Sequence, residues 1–226
     1  LRSVKVFIAG RQISDGFLVD DSVYIGGLPL ENKTIVLDPG HGGSDRYNRG
    51  QNGYIEADGV LDIALKLKPM LKELGANVIL TRDKDEYLTL YERGQIANEN
   101  DADIFISLHT NAMPNNNDVQ GIETYYSIDP YNESKLLAEC VLNSVHKICG
   151  RKRRFARSRL NSKGNDDYYG VLRYSDTPAC IVEYGYHTNP NEETLLLNEK
   201  FRLICAYATK LGILEYFKKL ENKEEN

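Results

Sequence analysis

From residue 34 onward, short apolar runs alternate with stretches of helical spacing. Ile35-Val36-Leu37, Val78-Ile79-Leu80, Ile104-Phe105-Ile106-Ser107-Leu108 and Ala179-Cys180-Ile181-Val182 read as buried strands. Glu123-Thr124-Tyr125-Tyr126 and the brief Val171-Leu172 read as two more. Over 57–74, Leu61, Ala64, Leu65, Leu71 and Leu74 recur at helical spacing, and Gly75 stops the helix. Further helices are predicted over 87–99, 133–148, 192–197 and 200–217. Apolar strands separated by helices imply an α/β domain, its largely parallel central sheet flanked by helices. That domain spans 31–217. Before it, Val4-Lys5-Val6-Phe7-Ile8 and Val23-Tyr24-Ile25, with a turn at Gly10-Arg11, predict a β-hairpin-like extension over 1–30. After it, the Lys- and Glu-rich segment 218–226 is expected to fray as a charged tail.

Composition narrows the class. A chain of 226 residues with 41% hydrophobic and 27% charged residues has the profile of one globular domain, not of a disordered or low-complexity protein. No apolar run approaches the roughly 18 residues of a membrane span. The net charge of −5 disfavours a general nucleic-acid binder. Cys140, Cys149, Cys180 and Cys205 form no C-x-x-C pair and read as buried thiols, so they do not indicate a redox compartment. No signal peptide is visible after Leu1, as would also hold for a processed chain.

The four histidines are His41, His109, His146 and His187. Two of them follow predicted strands. His41 lies in Asp38-Pro39-Gly40-His41-Gly42-Gly43, and His109 in Ser107-Leu108-His109-Thr110-Asn111. The strand at 179–182 delivers Glu183 at its end. Ligands of open α/β sheets collect at the carboxyl ends of strands. Glu56 opens the first long helix after a loop containing Gly42, Gly43, Gly50 and Gly53, which lets the chain fold back toward His41. Two imidazoles and one carboxylate, with water in fourth place, form a catalytic zinc set. A carboxylate outside that set is needed to handle protons, and Glu183 fits. Taken singly, His41 is explained as a satisfied loop residue, Glu56 as a favourable helix N-terminus and Glu183 as half of an ion pair. The signal lies in the set.

Ile35 through Gly43, with Glu56 fourteen residues beyond His41, resembles the opening of the zinc-dependent N-acetylmuramoyl-L-alanine amidases of the Amidase_3 family. Leu80-Thr81-Arg82, Arg93, Ala97-Asn98, Phe105–Ala112, Gly121–Tyr126 and Pro178–Asn189 resemble the family's later motifs in order, over about 33–217. The resemblance implies one Zn²⁺ per chain, with His41, Glu56 and His109 as ligands, Glu183 as the catalytic carboxylate and Asn111 at the substrate. It implies hydrolysis of the amide between N-acetylmuramic acid and L-alanine in peptidoglycan. The ion activates water and stabilises the oxyanion, and Glu183 passes a proton to the leaving amine. The chain departs from the family's small, glycine-rich loop at Ser44-Asp45-Arg46-Tyr47-Asn48-Arg49-Gly50. The departure bears on that loop's conformation and on the stability of the metal site. Only Met113–Gln120 separates the Asn111 motif from Gly121, too little for the long helical insert that blocks the site in some relatives.

Arg151–Arg159 carries six basic residues in nine. It reads either as a solvated loop or as an anion site for stem-peptide carboxylates, wall polymers or an acidic partner. If it only targets the wall, replacing Arg151, Lys152, Arg153 and Arg154 should leave hydrolysis of small substrates unchanged. Tyr168-Tyr169, Tyr184 and Tyr186 read as half-buried packing or as sugar-stacking surfaces. His187 reads as structural, and His146 as unrelated to the metal. The competing functions are a zinc peptidase of free peptides and a catalytically silent wall-binding protein. The family resemblance implies action outside the cytoplasm, in the cell wall or secreted, with a lean toward the spore-cortex type and its intermembrane space. It leaves room for an activating or targeting protein partner. Neither nucleic acid nor a membrane span is expected.

Overall fold

The computed structural model describes residues 3–8, 11–17, 28–128 and 132–224. The N-terminal segment forms an antiparallel hairpin of β1 (Ser3–Ile8) and β2 (Arg11–Phe17). The hairpin's second strand thus begins at Arg11. The strand predicted at Val23–Ile25 lies outside the described residues.

The main body runs β3 (Thr34–Pro39), α1 (Glu56–Lys72), β4 (Asn77–Leu80), α2 (Leu90–Glu99), β5 (Ile104–Asn111), β6 (Ile122–Tyr126), α3 (Glu133–Cys149), β7 (Arg153–Arg157), α4 (Gly170–Arg173), β8 (Ala179–Tyr186), α5 (Pro190–Leu197) and α6 (Glu199–Glu224). Six strands form one sheet in the order β4-β3-β5-β8-β6-β7. β4, β3, β5 and β8 are mutually parallel. β6 runs antiparallel to β8, and β7 runs parallel to β6. The chain steps from β3 to β4 on one side, then crosses back to place β5 on the other. That reversal is a topological switch point, where the strand ends leave a crevice.

Alternation along each central strand feeds two cores. Ile35, Leu37, Ile104, Ile106, Leu108, Cys180, Val182 and Tyr184 face the larger one, packed with residues of α1, α3 and α6. Val36, Phe105, Ala179 and Ile181 face the smaller one with Ala97, Val171 and Leu172. Both faces are buried, which is why these strands read as continuous apolar runs.

The structure corrects four expectations. Val171-Leu172 is not a strand but lies in α4, where the amides of Leu172 and Arg173 donate to the Tyr169 carbonyl. Two apolar residues are too few to fix a period. The basic segment is not a loop, because Arg153–Arg157 pairs with β6 as the edge strand β7. Charge is a common protection for an exposed edge. β8 continues past Val182 to Tyr186, so Glu183 lies within the strand. Finally, α6 runs on to Glu224 with Leu220 packed on the larger core, where a frayed tail was expected. α2 starts after Thr89, which forms a capping box with Glu92. None of the described helices is long and apolar enough to cross a membrane.

Candidate metal centre

β3 ends at Pro39, and the chain turns sharply over the end of β5. A Cβ on Gly40 would fall 2.1 Å from the His109 ring, so only glycine lets the two segments approach. His41 follows in the left-handed region, at φ 59°. Two buried arginines hold this conformation. Arg82 donates to the carbonyls of Pro39, Gly40 and Ala57. Arg93 donates to Asp38 and to the carbonyls of Pro39 and His41. Asp38 also accepts from Thr81 and Ser107, and these bonds with Arg93 hold its carboxyl below the usual range although burial opposes them. The motif residues Asp38, Thr81, Arg82 and Arg93 therefore make one frame under His41.

The loop 44–50 is ordered by its own polar residues. Arg46 pairs with Asp58 and Asp85. Asp45 Oδ2 lies 2.8 Å from His41 Nδ1. A carboxylate at Nδ1 holds the proton there and turns Nε2 into the free donor. Glu56 heads α1 and is 2% exposed. Its Oε1 accepts from the Thr110 amide at 2.9 Å and lies 3.0 Å from His109 Nδ1. Its Oε2 lies 3.4 Å from His41 Nε2. The two imidazole rings stand 5.0 Å apart and nearly perpendicular.

One donor atom from each of His41, Glu56 and His109 falls within 4.8 Å of the others. Donors on a tetrahedral ion with bonds of about 2.0–2.1 Å lie about 3.3 Å apart. The spacing and the two-nitrogen, one-oxygen donor set fit zinc. Without an ion, burial works against the His41 charge, but Glu56 and Asp45 outweigh it and push its pKa up to about 9. Glu56 is held well below the carboxylate range by His109 and His41, again against burial.

A cavity of about 200 Å³ opens beside the three donors. Glu183, Asn111, Asn48 and His187 complete its lining with Thr110 and Ala112. Glu183 is half-buried, and its Oε2 is shielded from solvent with no hydrogen-bond partner among the described residues. Burial, then the charges of Glu56 and Glu123, push its pKa well above the ordinary value. Asn111 donates through Nδ2 to Glu123 Oε2 at 3.1 Å, and its Oδ1 accepts from Ala112. His187 is buried, 3.0 Å from Thr110 Oγ1, and burial pulls its pKa down. His146 sits on α3, 2.6 Å from the Arg151 carbonyl.

The residue that sequence reasoning missed is Glu123. It lies opposite Glu183 in the β6–β8 register and is buried. Its carboxylate accepts from Arg154, Tyr186, Tyr125 and Asn111. An acid inside the strand Ile122-Glu123-Thr124-Tyr125-Tyr126, separated by Thr124 from two tyrosines, was the available signal. Arg151 likewise pairs with buried Glu192. Two arginines of the basic segment thus balance buried carboxylates, and one of those carboxylates touches the cavity residue Asn111.

The family model described as N-acetylmuramoyl-L-alanine amidase (Amidase_3) matches residues 35–215. The chain is 32% identical over 216 residues to the probable cell wall amidase LytH of Staphylococcus epidermidis, covering 94% of this chain and 67% of LytH. Among solved structures, an N-acetylmuramoyl-L-alanine amidase from Clostridium difficile aligns at TM-score 0.76 and 33% identity, over 82% of this chain and 97% of that one. The CwlD amidase from Clostridioides difficile, solved with the GerS lipoprotein, aligns at TM-score 0.75 and 29% identity, over 83% of this chain and 100% of CwlD.

Proposed function

The chain belongs to the Amidase_3 family of N-acetylmuramoyl-L-alanine amidases, and from that premise we propose that His41, Glu56 and His109 hold a zinc ion beside Glu183, the proton carrier. The reaction is cleavage of the amide between N-acetylmuramic acid and L-alanine in peptidoglycan. Its cell wall relatives place that action outside the cytoplasm. When bound, zinc lowers the pKa of a coordinated water and polarises the scissile carbonyl.

The protein's own residues do the rest. Asp45 fixes the His41 tautomer, and the Thr110 amide and His109 fix the Glu56 carboxylate. Arg82 and Arg93 keep the His41 backbone in its left-handed turn. Glu183 takes the proton of the attacking water and delivers it to the departing nitrogen. A carboxyl whose pKa is raised by burial and neighbouring charge holds a proton long enough to donate it. Asn111, fixed by Glu123, forms the cavity wall beside the substrate. By analogy with CwlD and GerS, a protein partner is compatible with activity of this domain.

The observation that carries this reading is the unpartnered Glu183 Oε2 in the same cavity as the His41–Glu56–His109 donors. Elemental analysis and turnover test it together. Wild type should hold one zinc per chain, and His109→Ala should lose it. Glu183→Gln should keep its zinc and lose about 10²–10⁴-fold in turnover. Full metal retention in His109→Ala, or near-normal turnover in Glu183→Gln, would overturn the corresponding role.

A further inference from the structure

The basic segment divides into two populations. Arg151 and Arg154 are committed to Glu192 and Glu123, and Arg153 donates to Asn143. Arg157 and Arg159 are exposed and, among the described residues, lie in no ion pair. Both instead lie over aromatic rings. The Arg157 guanidinium lies 4.0 Å from the Phe155 ring centre and donates to Tyr125 Oη at 3.4 Å. Arg159 lies 3.6 Å over Tyr168. Tyr168 packs against Tyr169 at 5.1 Å, and Tyr169 against Tyr125 at 4.8 Å. The rings and guanidiniums therefore form one continuous ledge.

Stacking on a ring face leaves N–H groups of the fork-shaped guanidinium edge beyond those bonded to tyrosine available to a ligand. It also holds the fork in place, so less rotamer freedom is lost when an anion binds. The ledge starts beside the reaction site. Tyr125 Oη donates to Glu123, which lies opposite Glu183 in the sheet. Tyr169 is close enough to Glu183 that, after burial, that charge helps to raise its hydroxyl pKa.

Chemistry gives the ledge a direction. The nitrogen that departs must lie next to the group that protonates it. That group is Glu183, on the β6 side of the donors from β3, α1 and β5. The peptide attached to that nitrogen then leads away from the metal donors, toward β6 and β7. Beyond its first alanine, the stem peptide carries free carboxylates. We propose that Arg157 and Arg159, stacked on Phe155, Tyr125 and Tyr168, form the subsite that receives the carboxylates of the stem peptide.

The inference rests on Glu183 as the neighbour of the leaving amine, and its test avoids turnover where it can. Free L-alanyl stem tripeptide is titrated into the zinc-loaded wild-type enzyme and into the double variant Arg157→Gln/Arg159→Gln. The same peptide with its side-chain and α-carboxyls amidated serves as the neutral probe. Wild type should bind the acidic peptide about tenfold more tightly than the amidated one, and the double variant should lose that preference. The ratio of kcat/KM for muramoyl tripeptide over its amidated form should collapse in parallel, through KM. A folding defect lowers both substrates together and leaves the ratio intact.

Preference retained by the variant overturns the subsite. So does a variant that keeps peptide binding but loses binding to polyglycerol phosphate, because the ledge would then serve a wall polymer. An active Glu183→Gln enzyme overturns the proton role but leaves peptide binding unaltered, so the two readings fail separately.

Discussion

Two walls of the same cavity treat buried charge differently. On the wall built by β3, α1 and β5, Glu56 sits between His41 and His109 and accepts the Thr110 amide. Its ionised form is favoured, and both imidazoles stay within reach of one point. On the wall built by β8 and β6, Glu183 has an oxygen with no partner among the described residues, and burial, then the charges of Glu56 and Glu123, push its pKa up. Two glutamates share one cavity and are pushed in opposite directions by their surroundings, which suits them to the different roles proposed for them, metal ligand and proton carrier.

The first wall is sharpened by titrating its metal. Without an ion His41 has a pKa of about 9, so at neutral pH zinc must displace a proton from it. The raised pKa favours the proton below 9, and the competition disappears above it. Zinc affinity should therefore rise about fiftyfold between pH 7 and 9, steeply at first, and flatten above 9. Competition with a chelator of known proton affinity measures this. An affinity independent of pH over that window would mean that Asp45 and Glu56 do not hold a proton on His41.

The walls also differ in how much of them could be read from sequence. The first is announced by local signals. The apolar run Ile35–Leu37 ends in a glycine-rich turn, Ile104–Leu108 runs into the polar His109-Thr110-Asn111, and Glu56 opens a helix with clear periodicity. The second depends on a returning pair of strands. β7 reads Arg-Arg-Phe-Ala-Arg, with no alternation that predicts a strand. Arg154 in it, and Arg151 just before it, are matched by carboxylates distant in sequence, Glu123 and Glu192. β8 runs on through Glu183 because Glu123 and His109 lie level with it on the neighbouring strands, a pairing invisible until the register is known. Period and punctuation are local properties, whereas charge balance across strands is not.

That dependence can be broken directly. Arg154→Ala leaves Glu123 buried without its cation. Removing one partner of a fully buried pair costs about 3–5 kcal/mol, and the partial exposure of Arg154 reduces this to about 2 kcal/mol. For a chain of this size the loss corresponds to a fall in Tm of about 6 °C. Turnover should fall as well, since Glu123 also fixes Asn111. Arg153→Ala, one residue earlier and exposed, should stay within about 0.5 kcal/mol of wild type. Equal effects of the two variants in thermal unfolding would erase the distinction between an arginine paired with a buried carboxylate and an exposed one bonded only to Asn143.

The smallest effect expected is also the most specific to the second wall. In the metal-free protein, ionising Glu183 costs stability because the folded-state pKa lies above that of the unfolded chain. The cost is fully present above the folded pKa. It diminishes as pH falls through that value toward the ordinary carboxylate range, where both states are protonated. Glu183→Gln removes the titration while keeping the shape. The variant should thus be more stable than wild type by about 1 kcal/mol at neutral and alkaline pH, a gain of about 3 °C in Tm. The gain should shrink steadily toward pH 4. Activity and stability would then move in opposite directions at a single residue, as expected where a site retains a strained group for its chemistry. Glu56→Gln supplies the contrast. There the ionised form is the stabilised one, so the same substitution should destabilise, with a loss that persists to lower pH. A Glu183→Gln variant less stable than wild type at pH 8, measured by metal-free thermal unfolding, would show that its Oε2 has a partner in solution and that the two walls are not opposed.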